Sequence, residues 1–126
     1  MSKVALILGV ALVSLAPASA FASERLVEVG LPDGRLASAA LKAGEFDRAA
    51  TRLTVVRPDA ANDPARLINL GNAYVGLGRM ADARAAYQSA RYAPDIMLVT
   101  ADGGEASSRD IARRALSRLE MRYAAR

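Results

Sequence analysis

The 126-residue sequence predicts an all-α fold: two antiparallel helix-turn-helix pairs, stacked on each other and closed by a C-terminal capping helix. Three observations carry this. Apolar residues recur at spacings of three and four, the helical period. A shift of 34 positions places Gly44, Phe46, Ala49 and Leu53 on Gly78, Met80, Ala83 and Tyr87, and a period of that size is the mark of a helical repeat. Finally, Asp63, Pro64, Gly78 and Pro94 stand where helices start and stop.

The chain opens on a segment with the three parts of a secretory signal: a basic start ending at Lys3, an apolar run from Val4 to Leu15, and a small-residue exit after Pro17. The run is shorter than the ~20 residues that span a bilayer core, so cleavage is expected rather than a stable transmembrane anchor. Two cleavage sites compete, after Ala20 and after Ala22. Residues 1–22 are thus read as an address and 23–126 as one domain, exported to the periplasm or beyond the cell.

Repeat 1, about 30–63, carries Leu36, Ala37 and Ala40 at helical spacing, then Gly44, then Phe46, Ala49 and Leu53. In the 34-residue register Leu36 falls on Leu70, Ala37 on Gly71 and Ala40 on Tyr74. Repeat 2, about 64–97, is better punctuated. Asp63 is a good N-cap, Pro64 is preorganised for the first helical position, and Gly78 supplies a left-handed residue after a helix ending near Leu77. Its partner helix runs from about Met80 to Tyr92, with Ala83, Ala86, Tyr87 and Ala90 on the buried side, and Pro94 stops it. Gly71 and Ala83 are small where the helices approach; Tyr74 and Tyr87 fill the groove beside them.

Two such pairs leave an apolar end face, and the helix expected over about 107–123 is suited to cover it. Ser107 can cap it, Asp110 completes a capping-box spacing and can offset Arg114, and Ala112, Ala115, Leu116, Leu119 and Tyr123 form one apolar stripe. Before it, Ile96 to Thr100 is strand-like and is followed by the turn signal Asp102-Gly103-Gly104; Arg25 to Val29 is strand-like too. The two are expected to pair as minor short strands, or else to stay extended loop.

Leu67, Leu70-Gly71-Asn72-Ala73-Tyr74, Gly78, Ala83, Tyr87, Ala90 and Pro94 resemble a tetratricopeptide repeat, in which L-G-x-x-Y, Gly, Ala, an aromatic, Ala and Pro recur in that order. Leu67 takes the usual tryptophan place and Pro94 comes one residue early. The first unit matches less well, with Ala40 at the place of Tyr74 and Val56 at that of Ala90. The remainder is similar to short exported proteins of that family that close on an Ala-Asp-Gly turn and a basic helix. The resemblance covers about half of the chain. It implies a short right-handed solenoid whose first helices form a concave face that takes a protein or peptide.

Composition argues against catalysis. With neither cysteine nor histidine there is no thiol nucleophile, disulfide, imidazole base or ordinary zinc site. No phosphate loop, dinucleotide fingerprint or nucleophile elbow is present, and Ser107 and Ser108 have no base to activate them. No cofactor or metal is implied, and the reading is non-enzymatic. The 17 basic residues exceed 13 acidic ones by a dispersed +4, which is no nucleic-acid signature. Lys3 and Lys42 are the only lysines.

The concave face implied by the resemblance offers Ala65, Ile68, Asn69, Asn72 and Val75 from the second unit and Arg35, Ser38, Leu41 and Lys42 from the first. An amide such as Asn69 or Asn72 can bond both groups of a peptide backbone, and Arg35 or Lys42 can hold a carboxylate. The alternative is a binder of anionic envelope material through Arg114, Arg118 and Arg122, which flank the apolar stripe of the capping helix. Self-assembly into a homo-oligomer, with the weaker first unit docked on a neighbouring chain, is a third reading.

Overall fold

The computed structural model describes residues 36–55, 58 and 60–125. The expected signal segment, Arg25 to Val29 and Arg35 lie outside them. The described chain is mostly helical, with one small sheet: α1 (Ser38–Ala43), α2 (Phe46–Thr54), α3 (Pro64–Gly76), α4 (Met80–Tyr92), β1 (Met97–Val99), β2 (Glu105–Ser107) and α5 (Ser108–Ala124). No described helix is long and apolar enough to cross a membrane.

Both helix hairpins turn on a glycine at φ 74°, Gly44 and Gly78. The local hydrogen bonds agree as well. Gly44 N–H donates to Leu41 O and Glu45 N–H to Ala40 O; Gly78 N–H donates to Val75 O and Arg79 N–H to Tyr74 O. This paired pattern satisfies carbonyls that a helix end otherwise leaves open, and it needs the left-handed residue that glycine adopts without strain. The N-terminus of α3 is closed as the sequence predicts, with Asp63 Oδ1 accepting from Ala65 N–H at 3.0 Å and Pro64 in the first turn.

The core has two clusters. Leu41, Ala49, Leu53 and Leu70 join α1, α2 and one side of α3. Ile68, Tyr87, Ala90, Ile111 and Leu119 join α3, α4 and α5. Tyr74 packs against both. Close helix approach rests on two glycines of α3: a Cβ on Gly71 would come within 2.4 Å of the Tyr87 ring, and one on Gly76 within 2.3 Å of the Phe46 ring.

One expectation changes. The first helix is short, because Leu36 and Ala37 precede it instead of lying on it as Leu70 and Gly71 do on α3. Ala37 is left-handed at φ 52°, and the Leu36 carbonyl is turned toward Asn69 of α3. Strand pairing is local: β1 joins β2, antiparallel, with Leu98 opposite Ala106, while the other expected strand, Arg25 to Val29, lies outside the described residues. The five residues from Thr100 to Gly104 close the hairpin, with Thr100 N–H donating to Gly104 O and Gly103 at φ 82°, and so short a connection favours the neighbouring strand. Ser107 is the N-cap of α5, as expected, and also ends β2, so the helix starts at Ser108. Asp110 pairs with Arg113, one turn away.

Candidate functional site

The expected concave face is carried by α1 and α3, and the structure divides its residues into two groups. Ala65, Ile68, Asn69 and Leu41 are buried. Lys42 is exposed, and Ser38, Asn72 and Val75 are half-buried. Asn69, read from sequence as an open peptide-binding amide, has no exposed surface, and its Nδ2 donates to the Leu36 carbonyl at 2.9 Å. It ties α3 to the segment entering α1. Asn72 sits next in the same ladder, donating to Asn69 Oδ1 at 3.4 Å and accepting from the Tyr87 hydroxyl at 2.7 Å. An amide has more hydrogen-bonding positions than these two bonds use, so half-exposed Asn72 keeps capacity for a ligand. Among the described residues, Lys42, Ser38, Asn72 and Val75 are therefore the parts of the expected face that a partner can reach.

The structural motif residues lie as the packing argument requires. Leu67, Leu70, Gly71, Ala83, Tyr87 and Ala90 are buried, and Pro94 follows the last residues of α4 in an exposed turn. Tyr74 is overlaid by the Arg79 guanidinium at 4.7 Å.

Of the alternative arginines on α5, Arg114 and Arg122 are exposed and Arg118 is half-buried. Arg122 borders an apolar groove of about 490 Å³, formed where Met80 and Ala81 of α4 meet Leu119 and Tyr123 of α5.

A different basic cluster emerges from the α4–α5 seam. Arg84, Gln88 and Arg91 of α4 face Arg113, Ser117 and Glu120 of α5 across a hollow of about 250 Å³. Sequence reading missed it because the two halves lie on separate helices. The available signal was the spacing of Arg84, Gln88 and Arg91 by four and three on an otherwise alanine-rich helix.

Arg66 was missed as well. Its guanidinium is buried and donates to three carbonyls, from Nε to Ala60 (3.0 Å) and from the two terminal nitrogens to Leu53 (2.7 Å) and Ala61 (3.1 Å). It closes the C-terminal end of α2 and the connection to α3. The signal was a cation in the first turn of a helix, where the helix dipole disfavours it.

Asp95 anchors the start of α5. Its Oδ1 accepts from the Ser107 hydroxyl (2.6 Å), the Ser108 hydroxyl (3.1 Å) and Arg109 N–H (3.1 Å). The Ser107 bond, followed by the Arg109 amide, holds the Asp95 carboxyl below its usual range. In the β-hairpin turn, Asp102 is likewise lowered, chiefly by the Thr100 hydroxyl and then by Gly104 N–H. Both carboxylates are spent on local structure. Among the described residues no group of three or more Asp or Glu side chains could hold a metal ion. No protein-family model, curated protein or solved structure matches the chain.

Proposed function

We propose that the chain is an exported, non-enzymatic scaffold of tetratricopeptide type, two helix pairs in a short right-handed solenoid, that binds a protein or peptide on the face shared by α1 and α3. After cleavage of residues 1–22 it would act in the periplasm. The observation that carries this reading is the duplicated turn: Gly44 and Gly78 share φ 74° and the same two flanking hydrogen bonds, 34 residues apart. Exposed ion pairs repeat in the same register with their charges exchanged, Glu45–Arg48 at 2.9 Å and Arg79–Asp82 at 2.8 Å. A duplicated hairpin that presents equivalent helices on one side is the arrangement by which helical repeats bind extended partners.

On that face Lys42 offers a cation, Asn72 an amide and Val75 an apolar contact. The test is capture from the cell envelope by the tagged chain, compared with K42E, which changes an exposed position and leaves the core and the Asn69 ladder intact. A partner retained by the parent chain and lost by the variant is expected. Equal capture by both overturns the assignment of this face.

A further inference from the structure

We propose that the hollow between α4 and α5 is a second, independent binding site, for an acidic peptide whose carboxylates are spaced three residues apart. It does not rest on the α1–α3 face. Arg84 and Arg91 stand seven residues apart on α4, about 10 Å along the axis at 1.5 Å per residue. Each is held beside an aromatic ring, Arg84 at 5.6 Å from the Tyr123 centroid and Arg91 at 5.8 Å from that of Tyr92. A ring engages the flat face of a guanidinium and leaves its N–H edge for a carboxylate. Among the described residues, no carboxylate forms an ion pair with Arg84 or Arg91.

Arg113 supplies a third cation from α5, shared with Asp110. Against these three stands Glu120, so the hollow has a net positive charge. The same Glu120 disfavours a densely charged polymer, whereas it can accept a backbone N–H. Gln88 and Ser117 add neutral donors and acceptors suited to peptide groups. The charge pattern therefore favours separated carboxylates on an uncharged backbone. A polyproline II strand advances ~3.1 Å per residue with three residues per turn. Residues i and i+3 then share a side and stand ~9 Å apart, close to the Arg84–Arg91 step.

The test uses the full chain and a fluorescent peptide, Glu-Pro-Pro repeated four times, read by anisotropy, with the Gln-Pro-Pro peptide as neutral control. The Glu peptide is expected to bind at least tenfold more tightly than the Gln peptide. R84Q/R91Q is expected to remove that difference while retaining the parent circular dichroism and Tm, and K42E to leave it unchanged. Equal binding of the two peptides, or an undiminished difference in R84Q/R91Q, overturns the proposal. So does an inorganic polyphosphate chain that displaces the Glu peptide at equal charge concentration, since that would make the hollow a general anion site.

Discussion

The ring of Tyr87 lies where a side chain on Gly71 would have to be: a Cβ there would stand 2.4 Å from Cε1 of the ring. The α3–α4 hairpin therefore depends on the absence of one methyl group. Its Tyr87 hydroxyl continues into Asn72, Asn69 and the Leu36 carbonyl, linking α4 to the entry of α1.

In an ordinary exposed helix Gly→Ala stabilises by about 1 kcal/mol. G71A should instead destabilise by about 1–3 kcal/mol, because the Tyr87 ring must move out of a packed core. Urea denaturation measures the sign. In a Y87L background the cost should shrink, since the clashing ring is gone.

Asn69 is a structural amide, so N69A should destabilise the chain by about 1–3 kcal/mol through the deserted Leu36 carbonyl. Thermal unfolding with a fall in Tm is the expected result. An unchanged Tm would contradict that structural role.

Arg66 spends its guanidinium on three carbonyls, and R66A should cost about 2–3 kcal/mol. R66K should recover less than half of that, because an ammonium cannot reproduce a planar fork reaching Ala60, Leu53 and Ala61 together. Chemical denaturation of both variants checks the order.

Acid should loosen α5 through Asp95. Its folded pKa is lowered from the ordinary 3.8, so the unfolded chain takes up the proton first as pH falls. The contribution is fully present above the unfolded value and is lost as pH drops through the lower folded one. Stability should therefore fall as pH drops below the unfolded value of 3.8 and on through the lower folded one. In D95N that slope should be reduced, with the Asp102 contribution remaining; denaturation midpoints at several pH values measure it.

The α3–α4 hairpin was legible in the sequence because each boundary has a local cause: Asp63 and Pro64 at the start, Gly78 at the turn, Pro94 beyond the end. The apolar stripe of α5 and the Ser107 cap were legible for the same reason. Features set by distant partners were not. Asn69 looks like any polar residue on a helix face until the Leu36 carbonyl is brought to it. The pairing of β1 with β2 was not read, although the turn signal Asp102-Gly103-Gly104 between them was noted. Of the described part of the expected face, Lys42, Ser38, Asn72 and Val75 remain accessible, whereas Arg84, Arg91 and Arg113 lie on faces of two helices that only packing brings together.

The central claim, a scaffold that engages a partner across α1 and α3, is tested most directly by site-specific photocrosslinking in living cells. A photoreactive residue is placed singly at Lys42 or Val75, and at Asp47 and Ser89 as exposed controls on other helices. Discrete adducts of one common mass increment from positions 42 and 75, absent from 47 and 89, are the predicted result. Adducts that are absent from 42 and 75, or equally frequent at all four positions, would contradict it.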